Sequence, residues 1–91
     1  MSAKRISFRV EGEVQGVNFR SFTQRQAKSI GVTGYVTNAS DGSVQGEAQG
    51  SDDNIKEFVQ HLHKGPSASS VSGVDTSDIS TTSDESGFNV K

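Results

Sequence analysis

The chain has 91 residues, no cysteine and a net charge of −2, with a pI near 5.5. That length supports one small core, so a single domain over residues 1–91 is expected. Without cysteine there is no disulfide, thiol nucleophile or thiolate metal site, and the mildly acidic balance speaks against a dedicated nucleic-acid binder. No apolar run approaches the ~20 residues of a membrane span, and the start MSAKRISF lacks the apolar centre of a signal peptide. The expectation is a cytoplasmic monomer with neither nucleic acid nor membrane as partner. Charge is uneven along the chain. Residues 1–45 carry six Lys/Arg against three Asp/Glu, and residues 46–91 carry three against eight. An anion site is therefore expected in the first half.

In chain order, "ISFRVEGEV" alternates with Ile6, Phe8, Val10, Gly12 and Val14 on one face, the pattern of a half-buried strand. From Phe19 the period becomes helical through Thr23, Ala27 and Ile30, and Gly31 is placed to close the helix in a left-handed turn. "VTGYVTN" reads as a second strand ending near Asn38. Asp41-Gly42 signals a hairpin, and "SVQGEAQG" a third strand with Val44, Gly46, Ala48 and Gly50 on one face. "SDDNIKEFVQHLHKGP" is the clearest helix. Asp52 and Asp53 suit its positive end, Ile55, Phe58, Val59 and Leu62 form its apolar stripe, and Gly65-Pro66 stops it. Residues 67–86 are mostly Ser, Thr, Asp and Gly; a fourth strand around 70–79 is preferred over a disordered tail. "GFNV" can add a short terminal strand through Phe88 and Val90. The order βαββαβ describes an α+β, ferredoxin-like sandwich: an antiparallel sheet with both helices on one face.

The loop Gln15-Gly16-Val17-Asn18-Phe19-Arg20 joins the first strand to the first helix. Its successive amides can form an anion nest at the helix's positive end, with Arg20 adding a planar fork for phosphate oxygens. An ordinary turn carrying an exposed arginine fits the spacing as well. There is no GxxxxGK[ST] or GxGxxG, and Val14 stands where a cysteine-dependent phosphatase loop needs its nucleophile. His61 and His63, two apart on a helix, cannot face one metal. Asn38 reads either as turn chemistry or as an amide that positions a water.

"VEGEVQGVNFR" matches the pattern Val-x-Gly-x-Val-Gln-Gly-Val-x-Phe-Arg, and "GYVTNASDGSVQGEAQG" matches a second through Gly34, Tyr35, Asn38, Gly42, Val44 and Gly50. In both, and in "HKGP" and "GFNV", the chain resembles the acylphosphatase family. The resemblance implies hydrolysis of acyl phosphates to a carboxylate and inorganic phosphate, with no metal and no cofactor. It implies that the amides of Gln15, Gly16, Val17, Asn18, Phe19 and Arg20 wrap the phosphate, that Arg20 binds it, and that Asn38 orients the attacking water. In some members a terminal carboxylate lies near this arginine, one residue past the position of Lys91. The competing readings are a non-catalytic anion-binding module and an RNA-binding domain. The latter shares the βαββαβ order but needs stacking aromatics on its third strand, where Val44, Gly46 and Ala48 stand.

Overall fold

The alternation of Ile6, Phe8 and Val10 produces strand β1 (Lys4–Glu13), with those three side chains buried. The computed structural model describes residues 3–16 and 18–91. The remaining elements follow as α1 (Phe19–Ile30), β2 (Thr33–Asn38), β3 (Val44–Gly50), α2 (Asp52–Lys64), β4 (Ser70–Ile79) and β5 (Phe88–Val90). The sheet order is β4-β1-β3-β2-β5, the ferredoxin-like arrangement with one strand added. Neither helix is long and apolar enough to cross a membrane.

Three local details differ from the sequence expectation or sharpen it. Gly12 does not continue the buried face. Its φ is +124° beside a bulge, where the register against β4 shifts between Glu11 and Gly12, and it is exposed. A Cβ there would come within 2.1 Å of the Ser70 carbonyl oxygen, so glycine is required by close approach as well as by φ. The fourth strand does form over residues 70–79, as an edge strand whose Val71 and Val74 lean on the core. The fifth strand forms too, but it pairs parallel with β2, so the sheet is mixed at that edge rather than wholly antiparallel.

The helices take their expected faces. Phe19, Thr23 and Ala27 are buried on α1, and Gly31 closes it with φ +94° and an amide donated to Ala27. On α2, Ile55, Phe58 and Leu62 are buried. Phe58 packs edge-on against Phe8 at 5.4 Å between ring centres, and against Phe88 of β5 at 5.7 Å. These contacts tie β5 to the core, although it is only three residues long.

Between β4 and β5, residues 80–87 cross from one edge of the sheet to the other. Few apolar groups hold this strap; polar ones do. Arg5 is only 6% exposed, and its guanidinium makes a two-pronged contact with Glu85 at 2.8 and 3.2 Å. Its Nε donates to Glu47 at 3.0 Å. Gln49 and Thr82 exchange a reciprocal pair of hydrogen bonds, each 2.9 Å long. The hydrogen bond from Arg5 holds the Glu85 carboxyl below its ordinary range. On the same side of the sheet, burial raises the Tyr35 hydroxyl, with the nearby Glu47 charge adding to the effect.

Candidate active site

The two helix starts are built differently. Helix α2 begins at Ser51, whose side chain accepts the Asn54 amide at 3.1 Å, and carries Asp52 and Asp53 in its first turn. Its positive end is already satisfied by its own residues. Helix α1 begins at Asn18, which makes no side-chain cap hydrogen bond, and its first turn has no acidic residue. The start of α1 is therefore open to an external anion.

Two described residues of the loop before it have left-handed backbones: Gly16 has φ +75° and Asn18 has φ +62°. Nothing lies within 4 Å of where a Gly16 Cβ would be, so glycine there serves conformation and leaves space open. Val17 lies outside the described residues. Gln15 does not line the hollow. Its side-chain amide instead donates to the Ala39 and Ser43 carbonyls at 2.8 and 3.0 Å, fastening the loop to the β2–β3 hairpin.

That hairpin carries Asn38. Asp41 shapes the turn by accepting the Ser43 hydroxyl at 2.6 Å and its amide at 3.0 Å, and these bonds lower the Asp41 pKa. Asn38, the last residue of β2, pairs with Val44 across the hairpin. It is exposed, and its side-chain amide makes no hydrogen bond to another described residue. The turn chemistry belongs to Asp41, which leaves the Asn38 amide without a hydrogen-bond partner among the described residues.

Gly16, Asn18, Phe19, Arg20 and Asn38 line one cavity of about 180 Å³, joined by Val14, Ser21 and Val90. Arg20 and Asn38 are thus gathered with three of the loop positions named from sequence. Arg20 is held at one end by a 3.0 Å hydrogen bond from Nη1 to the Lys91 main-chain oxygen. Lys91 is itself fixed, with its amide on the Val36 carbonyl at 2.8 Å and its Nζ 4.2 Å from the centre of the Tyr35 ring. Gln24 of α1 adds a 2.8 Å bond to the Phe88 carbonyl. Sequence reasoning left Val90 out of this site. The alternation Phe88-x-Val90 is the signal that could have placed it on the helix side of β5.

A larger hollow, about 320 Å³, lies on the sheet near Arg9, Tyr35, Glu47 and Asp75. It mixes both charge signs and has neither loop amides nor a helix start, so the smaller cavity is the better place for an anion. Among the described residues no three His, Asp or Glu side chains gather as a metal site.

The acylphosphatase family model matches residues 6–90. The chain belongs to the acylphosphatase family. An acylphosphatase from Salinibacter ruber is 49% identical over 72 residues, which span 79% of this chain and 76% of the relative. One from Pelotomaculum thermopropionicum is 40% identical over 90 residues, covering 99% and 98% of the two chains. The solved acylphosphatase structure from Coxiella burnetii superposes with a TM-score of 0.91 at 36% identity, covering 98% of this chain and 93% of that one. The likeness to the acylphosphatase from Pelotomaculum thermopropionicum thus includes the strap, the part with the least regular sequence signal.

Proposed function

We propose that the β1–α1 loop and Asn38 form the active site for hydrolysing the carboxyl–phosphate bond of acyl phosphates, the activity for which the family is named. The phosphate sits at the uncapped start of α1, its oxygens taking loop amides and the Arg20 guanidinium. Asn38 orients a water for in-line attack on phosphorus. The observation that carries this reading is that Arg20, left-handed Gly16 and Asn18, and Asn38 line one cavity.

The sparse chemistry suits the substrate. In an acyl phosphate the leaving group is a carboxylate, stable without a proton near neutral pH, so no general acid is required. The attacking water bonds to phosphorus as the bond to the carboxylate oxygen breaks, and the water's proton passes to a phosphate oxygen. The protein positions the reactants and neutralises charge on the equatorial oxygens. Arg20 supplies that charge, so the reaction as proposed uses no metal ion.

The test is turnover of benzoyl phosphate and acetyl phosphate beside p-nitrophenyl phosphate, with and without EDTA. Rapid release of phosphate from the acyl phosphates alone, unaffected by EDTA, is expected. Equal turnover of the monoester, or activity that EDTA abolishes and Mg²⁺ restores, refutes it.

A further inference from the structure

We infer that Val90 is the contact that selects the acyl group, favouring acyl phosphates with a large apolar substituent such as an aryl ring next to the carbonyl over those with only a methyl. The inference rests on the proposed function and adds to it the side of the site that faces the leaving group.

The placement follows from β5. Its register pairs Gly34 with Phe88 and Val36 with Val90, so both β5 side chains are on the face that carries Val36. Phe88 is buried in the core against Phe58. Val90, two residues on, has run past the core and reaches the cavity that also holds Arg20 and Asn38. It is 38% exposed, the one large apolar side chain among the described residues recorded as exposed. Its main chain is fixed on both sides, through the pairing with β2 and the Lys91 amide on the Val36 carbonyl.

The polar groups of the cavity lie on the loop, α1 and the end of β2, where the phosphate is held. Val14 and Phe19 are buried and form apolar floor, while the partly exposed Val90 forms rim. At about 180 Å³ the cavity is below the ~300–1,000 Å³ of typical small-molecule pockets. With the phosphate held among the polar groups, the acyl group lies toward the rim that Val90 forms. The valine methyls are then its nearest apolar surface.

The experiment compares kcat/KM for benzoyl phosphate and acetyl phosphate, with the inhibition constant of inorganic phosphate, in wild type, Val90→Ala and the nearly isosteric Val90→Thr. Loss of methyl contact at a half-exposed site should lower the benzoyl-to-acetyl ratio about three- to tenfold, with phosphate inhibition unchanged within twofold. Val90→Thr preserves shape and should lower the ratio in the same direction. An unchanged ratio in both variants overturns the inference. So does an equal fall for both substrates with weaker phosphate inhibition, which would mean that Val90 acts by seating Arg20 through Lys91. If wild type hydrolyses neither acyl phosphate, the proposed function fails, and this inference with it; an active wild type with an unchanged ratio removes only the inference.

Discussion

Replacing Arg5 with methionine should loosen the strap that carries the chain from β4 to β5. The guanidinium is 6% exposed and serves two carboxylates, Glu85 and Glu47, whose side chains are 20% and 31% exposed. Removing the cation leaves two like charges facing each other across the site it vacates. Breaking a fully buried pair costs about 3–5 kcal/mol; the residual solvent access of both glutamates lowers that to about 2–3 kcal/mol. For a chain of this size, 1 kcal/mol corresponds to about 4–8 °C in Tm, so a fall of about 10–20 °C is expected for Arg5→Met. The assay is thermal unfolding by circular dichroism, with Glu85→Gln and the double variant closing a cycle. The double variant should recover part of the loss, because only one unpaired carboxylate then remains. A Tm within 4 °C of wild type in Arg5→Met would refute the view that this cluster holds the strap.

Glu85, held low by Arg5, makes stability depend on pH in a definite sense. The contribution is complete above the ordinary glutamate pKa of about 4.3 and is lost as pH falls through the depressed folded value, because the unfolded chain binds the proton first. Acid titration of unfolding free energy should be shallower below pH 4.5 for Glu85→Gln than for wild type, and identical slopes contradict this. Arg20→Lys keeps the charge but loses the fork, so it should be severely impaired and bind inorganic phosphate more weakly; unchanged phosphate inhibition removes Arg20 as the ligand. Gly16→Ala meets no steric clash but carries φ +75°, so it should cost about 1–2 kcal/mol in stability and weaken phosphate inhibition. A fully stable variant with wild-type inhibition would show that the left-handed loop is not what forms the cradle.

Most of the sandwich is legible in apolar periodicity, because β1, β3 and both helices bury one face each. The failures have local causes. Gly12 breaks the alternation because the bulge is set by the approach of the Ser70 carbonyl, a residue 58 positions away that periodicity cannot see. The parallel pairing of β5 has a similar origin: three residues bear no mark of direction, and their anchors are Phe58, Gln24 and Val36. Residues 80–87 look unstructured because their order comes from Arg5 and Gln49 rather than from buried carbon. At the candidate site, glycine placement and charge leave the loop and Arg20 open between an anion cradle and an ordinary turn, and the two family motifs carry the reading. Asn38 fits both turn chemistry and water positioning in the sequence, because only the fold shows that the hairpin's side-chain hydrogen bonds are made by Asp41. Val90 reads only as a strand residue, since nothing nearby in sequence shows that β5 runs past the core.

The central claim assigns separate tasks to Arg20 and Asn38, and the most direct measurement is kcat together with phosphate inhibition on folded Asn38→Ala. If the amide holds the attacking water, kcat for benzoyl phosphate should fall about 10²–10³-fold, the size seen when one preorganised polar contact is removed. Phosphate inhibition should stay within about twofold, because the loop and Arg20 are untouched, and KM should move far less than kcat. A folded Asn38→Ala protein with near wild-type kcat would contradict the mechanism at its core.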